Sequence, residues 1–306
     1  LSAQSYPPDP RNEQVLVWLD GALVPRHEAK VSVFDAGFVC GDGVWEGVRL
    51  VDGGRIVSLA AHLDRLFEGA AKIALDLPAH GYPRERFRDV LREAFAANGM
   101  HDGAHARLMV TRGPKRTPNQ DPRFQAGGPT VVCVAEWKAV VPLEAKRPLV
   151  LVQSTRRTSD ANTFDMRLNS HSRLNLIGAL LEAIDAGADE ALMPDPHGAV
   201  ASGNSTNFFW VREGTLHTSG DAYCFNGITR GSVLRVVHEA GIPVAQGSFG
   251  FEAVRGADEA FLTGTLGGLT PVARLDGVPF GAAPGPLTRR LDALYRAAAL
   301  AGAEAP

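Results

Sequence analysis

Two kinds of hydrophobic pattern alternate along the chain, and this alternation constrains the fold more than any other feature. Short runs rich in β-branched and aromatic residues cover 15–19, 44–51, 55–57, 106–111 and 130–136 and read as strands. Asp20-Gly21 and Asp52-Gly53-Gly54 supply tight turns. Elsewhere the period is helical. Leu59, Leu63, Leu66, Phe67, Ala70 and Ile73 share one face of residues 59–77, and Pro78 stops the run. A second helix starts near Pro83, carries Phe87, Val90, Leu91 and Phe95, and ends at Asn98-Gly99. Residues 37–43, with three glycines, read as a loop.

The second half is richer in strands. Residues 142–148, bounded by prolines, read as a linker, followed by a strand at 149–154 and an irregular polar stretch at 155–173. Helices are expected at 174–186, 230–240 and 287–300, and short strands at 190–193, 199–201, 208–211 and 259–263. The expected organisation is an α+β N-terminal domain at 12–141 and a strand-rich α/β C-terminal domain at 149–306. The Pro-, Gly- and Arg-rich loop at 113–129 is long enough to serve a function of its own.

Composition narrows the function classes. With 306 residues, 45% of them hydrophobic, the chain can build a full core. Lys plus Arg number 31 against 34 Asp plus Glu, a net charge of −3, so there is no basic footprint for nucleic acid. No apolar run approaches the roughly 18–20 residues of a membrane span. Residues 1–11 form a polar, Pro-rich leader without the apolar core of a secretory signal. Cys40, Cys133 and Cys224 have no metal-ligand spacing and suit a reducing cytoplasm. The histidines show no ligand spacing, and neither a nucleophile elbow nor a dinucleotide or Walker loop is present.

Three separated stretches have the chemistry to hold a phosphate. Arg65 lies mid-helix in Ala61-His-Leu-Asp-Arg-Leu66, where an ordinary surface pair with Asp64 or Glu68 competes with anion binding. Asn226-Gly-Ile-Thr-Arg-Gly231 opens a helix, whose free amides and dipole favour an anion, although Thr229 serves equally as a plain N-cap. Phe261-Leu-Thr-Gly-Thr-Leu-Gly-Gly268 leaves a strand into a Gly/Thr loop.

These stretches belong to a larger ordered set. Gly41-Asp-Gly-Val-Trp-Glu-Gly-Val-Arg49, Ala61–Leu66, Gly187-Ala-Asp-Glu-Ala191, Gly203-Asn-Ser-Thr-Asn207, Gly227-Ile-Thr-Arg230, Thr263-Gly-Thr265 and Thr270-Pro-Val272 occur in the order seen in class IV (fold-type IV) aminotransferases. The chain resembles that family, which includes branched-chain and D-amino acid aminotransferases, over about residues 15–291. The resemblance implies a two-domain α/β fold with pyridoxal 5′-phosphate in the interdomain cleft, a small amino or keto acid substrate, and a homodimer. It further implies a phosphate cup of Arg65, the Ile228–Thr229 amides with the Thr229 hydroxyl, and Thr265. Ser202 and Ser205, in and beside the Gly203–Asn207 stretch, fall among the cofactor-contacting positions.

Two positions depart from the family pattern. The lysine that attaches the cofactor aldehyde aligns near Asn169, in Met166-Arg-Leu-Asn-Ser-His-Ser-Arg-Leu-Asn175, and no small shift finds a lysine there. All five lysines (Lys30, Lys72, Lys115, Lys138 and Lys146) precede residue 147, a bias that arginine-preferring codon usage explains better than chemistry does. Arg167 and Arg173 cannot replace the amine, because a guanidinium stays protonated and is a poor nucleophile. The acid expected beside the pyridine nitrogen is Ser202, which would leave the ring a poorer electron sink. His171 is the candidate acid–base in the lysine's segment, against a structural role capping the following helix or satisfying a loop carbonyl. By the same resemblance, Arg112 is placed to grip a substrate carboxylate, and Phe38 to wall the pocket. Trp45, alternating with Val44 on a strand, reads as core. The expectation is an aminotransferase-like enzyme. The alternatives are a lysine-independent lyase, isomerase or hydrolase on the same scaffold, with the cofactor absent or non-covalent, and a non-catalytic phosphate-ligand-binding protein.

Overall fold

In a computed structural model, which describes Ala3 and residues 5–306, the chain divides into two compact units. The N-terminal unit comprises Pro7–Ala139 together with two distant pieces, Leu168–Ser172 and Gly302–Pro306. The C-terminal unit consists chiefly of Val140–Arg167 and Arg173–Ala301. The sequence suggested contiguous halves, so both detached pieces are departures from that expectation. Of the expected leader, Leu1, Ser2 and Gln4 lie outside the described residues. Its end is ordered into a short 3-10 turn at Pro10–Gln14. The Asn12 side chain there bridges to Trp137, accepting from its N–H at 2.7 Å and donating to its carbonyl at 3.0 Å.

The N-terminal unit contains β1 (Leu16–Leu19), β2 (Ala22–Pro25), α1 (Ala36–Cys40), β3 (Gly43–Val51), β4 (Arg55–Val57), α2 (Leu59–Lys72), α3 (Arg84–Ala97), β5 (Ala104–Thr111) and β6 (Thr130–Trp137). Among the described residues its sheet has seven strands, ordered Ala303–Glu304, β4, β3, β5, β6, β1 and β2. Every pairing in it is antiparallel. The apolar faces of α2 and α3 form one core with Val44, Val48, Leu50, Ala106, Leu108 and Val110. The helix α1 falls where a loop was expected. Asp35 caps it by accepting from the Gly37 N–H at 2.8 Å, and Gly41 ends it in the left-handed conformation.

The C-terminal unit contains β7 (Leu149–Gln153), α4 (Ala161–Phe164), α5 (Leu174–Asp185), β8 (Glu190–Pro194), β9 (Val200–Gly203), β10 (Asn207–Arg212), β11 (Thr215–Ser219), α6 (Ile228–Glu239), β12 (Val244–Gly247), α7 (Phe251–Val254), β13 (Glu259–Gly264), β14 (Gly268–Leu275), β15 (Val278–Pro279) and α8 (Pro286–Ala301); β16 (Ala303–Glu304) is the edge strand of the other sheet. Among the described residues the sheet runs β12-β11-β10-β13-β14-β7-β8-β9, with β15 beside β14. Parallel pairing at β11/β12, β14/β7 and β7/β8 is mixed with antiparallel pairing elsewhere. Its core is built around Trp210, which stacks on Phe208 and His217 and meets Phe249 edge-on.

The N-terminus of α8 is capped from a distant strand. Glu259 of β13 accepts from the N–H groups of Leu287 (2.9 Å) and Thr288 (2.8 Å) and from the Thr288 hydroxyl (2.6 Å). These bonds satisfy donors that the helix cannot satisfy itself. Glu259→Ala is expected to destabilise the protein by about 2 kcal/mol in chemical denaturation, with Glu259→Gln intermediate. An unchanged midpoint for the alanine variant would refute the cap's energetic role.

Candidate active site

In the N-terminal unit the candidate residues lie along β3. Glu46 is on the face of β3 that packs against α2, between core residues Val44 and Val48, and is 1% exposed. His62 and Arg65 are three residues apart on α2, so both reach this carboxylate. Arg65 donates from Nε to Oε1 and from Nη2 to Oε2, each at 2.7 Å, and His62 Nδ1 lies 2.7 Å from Oε2. Burial pushes the Glu46 carboxyl up, yet the Arg65 charge and the hydrogen bonds from His62 and Arg65 outweigh it and hold the group below its usual range. Asp64, one of the competing surface partners, accepts from Arg84.

The detached segment 168–172 runs beside β3. The Trp45 N–H donates to the Asn169 carbonyl at 2.9 Å, and Asn169 Nδ2 donates to the Trp45 carbonyl at 2.5 Å. The His171 N–H donates to the Gly43 carbonyl at 3.0 Å, and Trp45 Nε1 to the Ser170 carbonyl at 3.1 Å. The His171 ring packs over Gly43, where a Cβ would approach its Cδ2 to 2.7 Å. Asn169 is thus a buried, strand-facing side chain. The N-cap residue of α5 is Arg173.

Two readings of this unit need correction. Trp45 is not core: it stands on the face of β3 opposite Val44, half-buried, with the Arg107 guanidinium 3.6 Å from its ring centroid. Arg112 does not present an open fork. Its Nε and Nη2 donate to the Asp42 carboxylate at 2.6 and 3.1 Å, and Nη2 also donates to the Ile73 carbonyl at 2.6 Å. It fastens the end of β5 to the α1–β3 turn and the end of α2. Phe38, on α1, is 75% exposed within this chain.

In the C-terminal unit, Ser202 is buried in β9 and Ser205 is exposed in the following turn. Asn204 pins that turn to β8: its Oδ1 accepts from the Ala191 N–H at 2.9 Å. Thr206 donates to Glu190 at 2.9 Å. Asn207 donates to the Phe225 carbonyl at 2.6 Å, and a side chain at Gly227 would clash with Asn207 Oδ1. A residue larger than glycine at the N-cap of α6, which has no side-chain cap, would have to displace the Asn207 amide. Thr229 is inside the helix rather than its cap. The first helical bond runs from the Gly231 N–H to the Gly227 carbonyl, so the amides of Ile228, Thr229 and Arg230 precede the helical ladder. Thr265 lies in the turn between β13 and β14, and nearby the buried Thr263 hydroxyl has no partner among the described residues. This donor set of the C-terminal unit suits a phosphate: amides that precede the helical ladder, together with hydroxyls.

Three lysine amines are held by neighbouring groups. Lys115 donates to the Asp121 carbonyl at 3.1 Å, and Lys138 pairs with Glu136 at 2.8 Å. Lys146 donates to the carbonyls of Gly267 and Leu269 and to Thr270 Oγ1. Lys30 and Lys72 are exposed. No group of acidic, His and Cys side chains able to hold a metal occurs among the described residues. No helix among them is long and apolar enough to cross a membrane.

The two-sheet α/β fold and the ordered motifs define a family: residues 43–275 match Amino-transferase class IV, and the chain belongs to it. The fold is that of the fold-type IV aminotransferases. The chain is 37% identical to Branched-chain-amino-acid aminotransferase-like protein 1 of Arabidopsis thaliana over 97% of its own length, and spans about half (53%) of that relative. It is 34% identical to the branched-chain-amino-acid aminotransferase of Pseudomonas aeruginosa, covering 92% of this chain and 91% of that one. Among solved structures, a T.th. branched-chain amino acid aminotransferase with pyridoxamine 5′-phosphate superposes with a TM-score of 0.86 at 30% identity, covering 94% and 95% of the two chains.

The sequence reading missed Glu46, His62 and Arg107. The i,i+3 spacing of His62 and Arg65 was an available signal for a shared partner. The alternation along β3 placed Glu46 with the core residues, where a carboxylate requires a cation.

Proposed function

We propose that this chain is an aminotransferase-like enzyme for a small amino or keto acid that holds pyridoxal 5′-phosphate by its phosphate, without covalent attachment. One observation carries the reading. The Ile228, Thr229 and Arg230 amides precede the helical ladder of α6, whose N-cap makes no side-chain bond, whereas Asn169 stands hydrogen-bonded to β3 where the family pattern places the attachment lysine. By the family resemblance, Arg65, the Ile228 and Thr229 amides, the Thr229 hydroxyl and Thr265 bind the phosphate, with Ser202 and Ser205 beside the cofactor. When bound, pyridoxal phosphate supplies an electron sink for bonds at the substrate's alpha carbon. Glu46 fixes the Arg65 fork, and His171 is the group available to move a proton near neutral pH. Arg107, exposed over Trp45, is a more accessible cation for a substrate carboxylate than Arg112. The apolar stripe of Leu174, Ile177, Leu181 and Ile184, exposed along α5, supports a homodimer. The free thiols of Cys40, Cys133 and Cys224 are compatible with the cytoplasm.

Reconstitution with the cofactor, borohydride reduction and peptide mapping test this reading. The expected result is a cofactor that dialyses away and leaves no reduced adduct, whereas Asn169→Lys retains one on residue 169. An adduct on a native lysine overturns non-covalent binding. If a broad amino and keto acid panel shows no turnover although the cofactor binds, the non-catalytic binding protein replaces the enzyme. Turnover independent of added cofactor, abolished by His171→Ala, favours a cofactor-free lyase, isomerase or hydrolase.

A further inference from the structure

We propose that Arg230 supplies the positive charge that makes the first turn of α6 select a phosphate monoester dianion. The inference rests on the phosphate-binding reading above and concerns the C-terminal unit alone. Arg230 is the third residue of α6 and is 5% exposed. Its Nη2 donates to the Ser219 carbonyl at 2.7 Å and to Gln246 Oε1 at 3.4 Å, while its buried Nε has no partner among the described residues. Both acceptors are neutral, and no carboxylate pairs with Arg230 among the described residues. Arg65 of the other unit differs: its charge is offset by Glu46 at 2.7 Å.

A guanidinium buried against neutral acceptors leaves a full positive charge uncompensated in a low-dielectric interior, and an approaching anion relieves that cost. Arg230 belongs to the same turn as the Ile228 and Thr229 amides, which like its own precede the helical ladder, and its guanidinium is held beside that turn at the Ser219 carbonyl. The partial charge of the helix end and the full charge of Arg230 therefore add. Arg230 acts as a positioning residue through the field it sets up, with the amides and the Thr229 hydroxyl making the contacts. The role needs charge more than fork geometry, since the ligand need not touch the guanidinium.

The test titrates the full chain calorimetrically with pyridoxal phosphate and with pyridoxal, which has the same ring and no phosphate. The wild type is expected to prefer the phosphorylated ligand by about a hundredfold, and Arg230→Met to cut that preference at least about tenfold while leaving pyridoxal affinity unchanged. Arg230→Lys is expected to keep most of the preference, a rescue that a purely structural role would not give. Thr229→Val, in the same turn, provides the reference. If Thr229→Val loses the preference and Arg230→Met keeps it, this inference fails alone. If the wild type shows no preference, the phosphate reading fails and takes the inference with it. Should Arg230→Met not fold, Arg230→Lys decides: native melting with the preference lost overturns the proposal, and the preference retained supports it.

Discussion

Glu46→Leu is expected to lower the stability of the N-terminal unit by about 3–5 kcal/mol, because it strands two donors that now share one carboxylate. Arg65 would lose both bonds of its fork, and His62, which is 1% exposed, would lose its bond to Oε2. The leucine fits an apolar neighbourhood, so the loss reports unpaired polar groups rather than a cavity. For a unit of this size the effect corresponds to a melting shift of roughly 10 °C. A triple variant, Glu46→Leu with Arg65→Met and His62→Leu, is expected to recover much of the loss, since no stranded donor then remains. A denaturation midpoint for Glu46→Leu within error of wild type would show that water or a rearranged Arg65 satisfies these groups.

The second large effect is a pH dependence of opposite sign in the two units. Burial, with the cations of Lys138, His62, Arg107 and Arg49 around it, pushes His105 of β5 down to about 3. Between that value and its ordinary 6.5, the folded N-terminal unit binds fewer protons than the unfolded chain. Its stability is complete above pH 6.5 and declines as pH falls toward 3. Glu190 of β8 behaves in the opposite sense, since burial pushes it up to about 7. Its carboxyl accepts from the Ala3 N–H at 2.6 Å and from the Thr206 hydroxyl at 2.9 Å. The C-terminal unit therefore holds its full stability below pH 4.5 and declines as pH rises through 7. The contributions are on the order of 3–5 kcal/mol. Hydrogen exchange, corrected for intrinsic rates, should show β5 loosening in acid and β8 loosening toward alkaline pH. His105→Phe should flatten the first trend and Glu190→Gln the second. Parallel trends in both strands would contradict the assignment.

The helices were the most legible part of the sequence, because their periodicity survives substitution of the exposed face. The apolar positions read for α2 and α3 are those that enter the core. β14 escaped notice because Gly268 and Pro271 mask an eight-residue strand. Trp45 was misplaced because alternation assigns faces without saying which face the helices cover. The phosphate candidates were readable as motifs, since loops that open helices have a fixed chemistry. What Arg65 and Arg112 do was not readable, because their partners Glu46 and Asp42 are 19 and 70 residues away. Arg230 is of the same kind: its distinguishing property is the lack of an acid nearby, which no local spacing records.

The composition of the N-terminal unit carries a consequence for its biogenesis. Residues 168–172, which line β3, and the edge strand β16 both come from far downstream of Ala139. During vectorial synthesis the ribosome delivers α2, α3 and most of their sheet long before these pieces emerge. The nascent unit must therefore wait with β3 unlined and the outer edge of β4 bare, which is an opening for chaperones and for strand-mediated aggregation.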